Sequence, residues 1–253
     1  MRLKNKVVII TGASSGVGKA VAFEFSKKGA KVVLAARRVE KLKEIQSKIR
    51  QSGINQNKCF IIKTDIAKEK EVQNLFSQTE KKYEAIDILI NNVGKGLKSS
   101  IHKINYKEWI SLMDTNLTSV FLSTREAVCH MLKKKSKGHI ITISSIAGKF
   151  GAPNYSAYCA SKHGVTGFKK SLRWELMAKQ IKVSTIHPGR IDTEFFDSYK
   201  QKPSKAQMLS PKDIAQYVVA IAERSLLKKY YFKLRNLLKR NYNLIKYDKR
   251  KFS

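Results

Sequence analysis

Short apolar runs rich in β-branched residues alternate along the chain with longer segments whose apolar residues recur at helical spacing. Runs of this kind are typical of strands that are buried on both faces of a parallel sheet. The segments between them have the spacing of amphipathic helices. This alternation predicts an α/β fold with a doubly wound, mostly parallel sheet flanked by helices on both faces. The predicted strands are 6–10, 31–36, 59–63, 86–90, 139–144 and 182–187, and the predicted helices include 17–25, 40–51, 69–83, 109–132 and 211–222.

The pattern divides the chain into one domain, residues 1–224, and a tail, residues 225–253. A length of 253 residues fits a single α/β domain. The tail has apolar residues at helical spacing, ten basic residues and one acidic residue, Asp248. It resembles a basic amphipathic helix that could lie on an anionic membrane in place of a last strand. The alternatives are a solvated tail or a changed reading frame that replaced the normal ending.

The composition indicates which partners and which cellular compartment are to be expected for the protein. The formal charge is +32, but the 51 basic residues are mostly lysines spread along the chain without an aromatic pattern, so we expect no specific nucleic-acid partner. Three cysteines without metal-ligand spacing favour a reducing compartment, with no disulfide framework and no metal site. No apolar run approaches the length of a membrane span. We therefore expect a cytoplasmic protein that is at most peripheral to a membrane.

One pentapeptide, 158–162, carries the main candidate chemistry. Tyr158 and Lys162 are four residues apart, so on a helix their side chains share one face. A nearby ammonium group favours phenolate, and we expect Lys162 to lower the pKa of Tyr158 toward the range of an acid or base. Ser145 follows the predicted strand 139–144 and would offer a hydrogen bond to a carbonyl oxygen. Such Tyr and Lys pairs also occur by chance, so the pentapeptide needs corroboration.

A glycine-rich turn, residues 11–18, lies between the first strand and the first helix. Gly12 permits a tight turn, while Gly16 and Gly18 allow the backbone to approach a pyrophosphate at the helix N-terminus. The second strand ends at Ala36, where an enzyme that uses NAD would carry an acidic residue for the ribose. Arg37 and Arg38 follow it, and a guanidinium suits the 2′-phosphate of NADP instead. The alternative is a pair of solvated arginines.

These motifs together resemble the short-chain dehydrogenase/reductase family over residues 5–222. They comprise the glycine turn, Asn91-Asn92-Val93-Gly94, Asn116, Ser145, the pair Tyr158 and Lys162, and the run from Pro188 to Thr193. Val93 departs from the alanine that is usual in the family and would crowd the adenosine wall. The resemblance implies a Rossmann-like fold and an NADP(H)-dependent oxidoreductase that transfers a hydride between nicotinamide and a carbonyl or secondary alcohol.

The resemblance also implies a role for each site residue. Tyr158 passes a proton to the substrate oxygen, Ser145 holds that oxygen, and Lys162 lowers the Tyr158 pKa and binds the nicotinamide ribose. Asn116 would hold a water that links Lys162 to solvent. Asp65 and Ile66 would contact adenine, and Thr193 the carboxamide. The expected cofactor-binding residues are Gly12, Ser14, Ser15, Gly16, Val17, Gly18, Arg37, Asp65, Ile66, Asn92, Tyr158, Lys162, Pro188, Gly189, Ile191 and Thr193.

The substrate and the assembly are less defined. Residues 194–210 carry Phe195, Phe196, Tyr199, Met208 and Leu209 between polar residues, which fits either a substrate lid or ordinary packing. Family members of this size commonly form dimers or tetramers through their two long helices, so we expect a homo-oligomer. The substrate would be a small carbonyl or alcohol compound with an apolar part. The alternative functions are a non-catalytic dinucleotide-binding scaffold and a basic membrane- or nucleic-acid-associated protein on the same fold.

Overall fold

A single parallel sheet organises the chain. The computed structural model describes residues 3–53, 55–196, 204 and 208–223. Its six strands are paired in the order β3-β2-β1-β4-β5-β6, so the predicted doubly wound parallel sheet is confirmed. The order reverses between β1 and β4, and ligands of such sheets bind at the carboxyl ends of the strands beside that reversal. The strands are β1 Val7–Thr11, β2 Lys31–Ala36, β3 Cys59–Lys63, β4 Ile88–Asn91, β5 His139–Ile143 and β6 Lys182–Ile186.

Helices cover both faces of the sheet. They are α1 Gly16–Lys27, α2 Val39–Gln51, α3 Glu69–Tyr83, α4 Tyr106–Met113, α5 Ser119–Lys133, α6 Ser156–Glu175 and α7 Pro211–Glu223. The predicted long helix over 109–132 is present as α4, a π-helical turn and α5 in direct succession. A π-helical turn, Asp114–Thr118, separates α4 from α5, and the Ser119 N–H bonds to the carbonyl of Asp114, five residues back. Such turns often occur at functional sites.

The strands are buried on both sides, as their continuous apolar character predicts. Val8 and Ile10 of β1 join the core beneath α1, α2 and α7. Val7 and Ile9 of the same strand join a second core beneath α3, α5 and α6. The two layers fix the carboxyl ends of the strands rigidly, and the loops that follow those ends build the site.

The segment after β6 differs in part from the predicted lid. Met208 and Leu209 are 8% and 1% exposed, and Leu209 pairs with Ile191 in a short parallel bridge. These two side chains therefore belong to the core instead of a cover over the substrate. Tyr199 and the tail 225–253 lie outside the described residues. α7 begins as predicted, with Ser210 Oγ accepting the Asp213 N–H at 3.1 Å.

None of the helices in the described ranges is long and apolar enough to cross a membrane.

Candidate active site

The glycine turn between β1 and α1 forms a cradle for an anionic group. Gly12 and Gly16 adopt left-handed φ angles of 64° and 51°, and a Cβ on Gly18 would clash with the Gly12 carbonyl oxygen. α1 has no acidic residue in its first turn, and among the described residues no side chain caps its N-terminal amides. Those amides and the positive end of the helix dipole are thus available to an anion. The cradle fits the pyrophosphate of a dinucleotide.

Asn92 holds the glycine turn in shape. Its Nδ2 lies 3.2 Å from the carbonyl oxygens of both Thr11 and Gly12, and its backbone N–H donates to Thr11 Oγ1 at 3.1 Å. Thr11 Oγ1 in turn donates to the Ile90 carbonyl. Asn92 therefore ties the end of β4 to the end of β1. Val93 packs against the second core, and a Cβ on Gly12 would lie 3.1 Å from its Cγ2.

Arg37 and Arg38 after β2 are both exposed, and the guanidinium of Arg38 lies across the glycine turn. The Arg38 Nη2 donates to Ser14 Oγ at 3.1 Å and to Ser15 Oγ at 2.7 Å. The sequence prediction gave the phosphate contact to Arg37. The structure instead places the guanidinium of Arg38 beside the two serines that were predicted to bind the cofactor.

Tyr158 and Ser145 meet at the carboxyl end of β5. Tyr158 lies on the first turn of α6 and is 9% exposed, and the Ser145 side chain is near enough to its hydroxyl to lower the Tyr158 pKa. Ser145 Oγ also accepts the Ala147 N–H at 3.1 Å, which fixes its rotamer. The rings of Tyr155 and Phe195 have centroids 6.3 Å and 5.8 Å from that of Tyr158. The hydroxyl pair therefore faces an aromatic wall.

Burial dominates the protonation of both members of the Tyr158 and Lys162 pair. It raises the pKa of Tyr158 to about 12, against the lowering effect of the Ser145 side chain. It lowers the pKa of Lys162 to about 8. The Lys162 Nζ lies 5.7 Å from the centre of the Tyr158 ring. The direction is therefore opposite to the expected fall in the Tyr158 pKa, because desolvation of the buried phenolate is the largest cause that acts on it.

Asn116 connects the loop after β4 to α6. Its Oδ1 accepts the Lys95 N–H at 2.8 Å, and its Nδ2 donates to the Lys95 carbonyl at 2.9 Å and to Ser161 Oγ at 3.1 Å. The side chain lies within the π-helical turn and is fully buried. Asn116 thereby positions the loop that passes over Lys162. The water-holding role that the resemblance implies for it stays a prediction.

The remaining predicted cofactor residues lie in α1 and in the loops after β3 and β6. Val17 and Ile66 are buried, and Asp65 Oδ1 accepts the Ala67 N–H in the loop after β3. The Pro188 carbonyl accepts the Ile146 N–H at 2.9 Å, which joins the loop after β6 to the loop after β5. Gly189 and Ile191 continue that loop.

Thr193, in the segment after β6, lies against the start of α1. A Cβ on Gly16 would lie 3.0 Å from the Thr193 methyl group, so the segment after β6 crosses the start of α1. The Thr193 Oγ1 also accepts the Phe195 N–H at 3.4 Å. The segment after β6 therefore contacts the start of α1 through Thr193 and the ring of Tyr158 through Phe195.

Two contributors to the site escaped the sequence reasoning. Gly94 leaves room for Lys162, since a Cβ there would lie 3.1 Å from the lysine Nζ. Glu194 forms an ion pair with Arg38, with 3.0 Å between its Oε2 and the arginine Nη1. The glycine was visible in the Asn-Asn-Val-Gly motif, but the identity of its neighbour depends on the fold. Nothing in the sequence distinguishes Glu194 from other surface carboxylates.

Within residues 3–53, 55–196, 204 and 208–223, no cluster of three or more His, Cys, Asp or Glu side chains could hold a metal ion.

The chain resembles known oxidoreductases over most of its length. Residues 6–204 match the family model described as short chain dehydrogenase. An uncharacterized oxidoreductase of Staphylococcus aureus strain MRSA252 is 34% identical over 217 residues, which cover 86% of this chain and 90% of the relative.

Two solved structures with bound cofactors share the fold. A 3-ketoacyl-(acyl-carrier-protein) reductase from Brucella melitensis complexed with NADH is 27% identical, with a TM-score of 0.79 and coverage of 87% of this chain and 91% of that chain. A variant of actinorhodin polyketide ketoreductase with NADPH is 28% identical, with a TM-score of 0.77 and coverage of 85% and 89%.

Proposed function

This chain is a member of the short-chain dehydrogenase/reductase family, and from that membership we propose that it interconverts a carbonyl compound and a secondary alcohol with NADP(H), using Tyr158 as the acid and base. The observation that carries the proposal is the position of the buried Tyr158 phenol, with the Ser145 side chain near enough to lower its pKa and the buried ammonium nitrogen of Lys162 5.7 Å from the centre of its ring. A dinucleotide-binding scaffold without catalytic function would not need this set of buried polar groups.

The chain's own residues supply a binding site for the cofactor. The N-terminal amides of α1 and the left-handed glycines Gly12 and Gly16 would hold the pyrophosphate. Thr193 and Lys162 would border the nicotinamide half. When bound, the nicotinamide dinucleotide supplies a hydride in the reductive direction and accepts one in the oxidative direction.

Tyr158 and Ser145 would act together on the substrate oxygen. Because burial holds the pKa of Tyr158 at about 12, the phenol keeps its proton at neutral pH and can donate it to an oxygen that gains negative charge. Ser145 would donate a hydrogen bond to the same oxygen and stabilise that charge. In the oxidative direction the phenolate form of Tyr158 would accept the alcohol proton.

Lys162 would stabilise the phenolate that Tyr158 becomes after it gives up its proton. Its pKa of about 8 lies above neutrality, so the ammonium form predominates at pH 7. A positive charge close to the phenol ring favours phenolate in a site with little water. The lysine therefore contributes most after proton transfer, and less to the resting pKa of the tyrosine.

The preference for NADP(H) is supported by the end of β2. Ala36 replaces a carboxylate that would repel a 2′-phosphate, and the guanidinium of Arg38 lies on Ser14 and Ser15 beside it. Arginine pairs with phosphate through two parallel hydrogen bonds. The solved relatives include one complex with NADH and one with NADPH, so the chain's own residues carry this part of the proposal.

The wall of the site favours a substrate with an apolar or aromatic part. Tyr155, Tyr158 and Phe195 bring three rings together at the catalytic hydroxyl. Aromatic rings of this kind bind flat apolar groups through their faces and edges. A ketone, a 3-oxoacyl thioester or a steroid with an apolar body next to the reacting carbonyl would suit this wall.

The test is turnover of a panel of ketones, 3-oxoacyl thioesters, steroids and sugars with NADPH and with NADH. The parent should turn over at least one apolar carbonyl compound faster with NADPH. Tyr158→Phe should bind NADPH as the parent does and lose turnover, whereas the matched variant Tyr155→Phe should keep most of it. Turnover by Tyr158→Phe within threefold of the parent would overturn the assignment of the acid.

We also propose that the chain forms a homo-oligomer through α5 and α6. Phe121 of α5 is 43% exposed and contacts Phe168 of α6, with ring centroids 6.2 Å apart. Trp174 of α6 and Met177 just after it are 73% and 65% exposed. Light scattering should give at least a dimer, and Trp174→Glu should shift it toward the monomer. Tyr106→Glu, which changes an equally exposed aromatic residue on α4, is the control.

A further inference from the structure

The side chain of Arg38 connects the glycine turn to the segment after β6 through hydrogen bonds. Its Nη2 donates to Ser14 and Ser15 in the glycine turn. Its Nη1 donates to Glu194 Oε2 at 3.0 Å, and Glu194 begins the short turn Glu194–Phe196 on the opposite side. The guanidinium is therefore placed where it could bind an anion, and in this structure a carboxylate of the protein itself already occupies it.

That position coincides with the place expected for the 2′ substituent of the adenosine ribose. In doubly wound sheets the ribose lies at the end of the second strand, and Arg38 is the second residue after β2. A 2′-phosphate and the Glu194 carboxylate are both negatively charged, so the two repel each other when they approach the same guanidinium.

We propose that Glu194 is a specificity-determining residue, an internal anion that the 2′-phosphate of the cofactor has to displace from Arg38. The inference rests on the proposed use of NADP(H) but makes a separate claim about one carboxylate. A cofactor without the phosphate leaves the ion pair intact. A cofactor with the phosphate breaks it and takes over the guanidinium.

The ion pair also connects the adenosine end of the cleft to the catalytic end. Phe195 follows Glu194 directly, and its ring lies 5.8 Å from the ring of Tyr158. Its backbone N–H is held by Thr193 Oγ1. Displacement of Glu194 therefore releases one anchor of the turn that sets the aromatic wall beside Tyr158.

The size of the effect follows from the exposure of the two partners. The side chains of Arg38 and Glu194 are 49% and 58% exposed, and exposed ion pairs are weak and screened by salt. Removal of the carboxylate should therefore tighten binding of a 2′-phosphate about two- to fivefold at low ionic strength. The gain should shrink as salt is added.

The experiment uses the full chain and two probes that lack nicotinamide, adenosine 2′,5′-bisphosphate and adenosine 5′-monophosphate. Calorimetric titration compares the parent with Glu194→Gln and with Asp192→Asn, which removes the same charge two residues earlier. Glu194→Gln should bind the bisphosphate more tightly and the monophosphate unchanged. Asp192→Asn should bind both probes as the parent does. In an Arg38→Ala background, Glu194→Gln should give no gain.

Equal affinity of the parent and Glu194→Gln for the bisphosphate would overturn the inference, as would an equal gain in the Arg38→Ala background or with Asp192→Asn. Failure of the proposed cofactor preference looks different, because the parent would then bind NADPH and NADH equally. A parent without preference that gains bisphosphate affinity on Glu194→Gln would refute the preference and support the role of Glu194.

Discussion

A β-carbon on residue 94 would lie 3.1 Å from the Nζ of Lys162 and 3.6 Å from the Oδ1 of Asn116. Gly94 is thus the point at which the loop after β4 passes over the buried lysine. Contacts of 3.1 Å between a methyl group and an ammonium nitrogen require a shift of one of the two groups. Because the lysine end is flexible and the loop is anchored by Asn116, the lysine is the group that moves.

The first prediction follows from this contact. Gly94→Ala should reduce turnover about tenfold, because a displaced ammonium group stabilises the Tyr158 phenolate less well. The melting temperature should change little, since the shift is a few tenths of an ångström. Gly167→Ala on α6 is the control, because a Cβ there meets nothing within 4 Å and alanine favours the helix. Equal turnover of Gly94→Ala and the parent would show that the lysine position is not critical.

The second prediction concerns the amide that anchors this loop. Asn116→Ala leaves both the N–H and the carbonyl of Lys95 without their partner, at a cost of about 2 kcal/mol or more in the free energy of unfolding. Ser161→Ala removes only one of the three bonds to the Asn116 side chain and should cost less. Urea unfolding measures both variants. Similar losses would indicate that the bonds to Lys95 add nothing.

The third prediction separates the two arginines after β2. Arg38→Ala should raise the Michaelis constant for NADPH about tenfold and leave that for NADH almost unchanged, because a charge-assisted contact to phosphate contributes about 1.5–3 kcal/mol. Arg37→Ala is the matched variant and should have the smaller effect, since it is the Arg38 guanidinium that donates to Ser14 and Ser15. A larger effect of Arg37→Ala would show that Arg37, as the sequence predicted, contacts the phosphate.

The choice between these arginines shows where prediction from the sequence stops. The pair marks the end of β2, but which of two successive side chains turns toward the glycine turn depends on the path of the chain after the strand. The strands themselves were predictable because continuous β-branched runs have few alternatives to burial on both faces. Ser210 was predictable as a cap because its bond to Asp213 is local.

Properties that depend on packing were not predictable in the same way. The π-helical turn at Asn116 has the apolar spacing of an ordinary helix, and the side chain of Asn116 within it bonds to Lys95 and Ser161. Leu209 has the same sequence context as a lid residue, yet it is buried against Ile191. The pKa of Tyr158 changed direction because the sequence shows the nearby cation but not the degree of burial.

A second buried lysine leads to the last prediction. Lys169 of α6 is 2% exposed, and its Nζ donates to Thr124 Oγ1 at 2.8 Å. The same hydroxyl accepts from Asn91 Nδ2 at 3.0 Å. These neighbours are neutral, so no carboxylate among them stabilises the buried ammonium group. Burial therefore lowers the pKa of Lys169 to about 7.

The sign of the effect on stability follows from the number of bound protons. An unfolded lysine has a pKa near 10.5, so between about pH 7 and 10.5 the unfolded chain binds more protons than the folded one. The free energy of unfolding therefore rises with pH through this window, by at most about 1.4 kcal/mol per pH unit for each such lysine. Lys162, with a pKa of about 8, acts in the same direction. Tyr158 opposes them only above about pH 10.

Lys169→Met should remove the contribution of one lysine while it keeps the length of the side chain. Urea unfolding at intervals from pH 6.5 to 9.5 should show a variant more stable than the parent at the acidic end, because no ammonium group is buried. That advantage should shrink as the pH rises and the parent lysine loses its proton. Lys170→Met, at the exposed neighbouring position, should leave the slope of the parent unchanged. Parallel curves for Lys169→Met and the parent would mean that Lys169 keeps its ordinary pKa in the folded protein, and that the hydrogen bond to Thr124 compensates its burial.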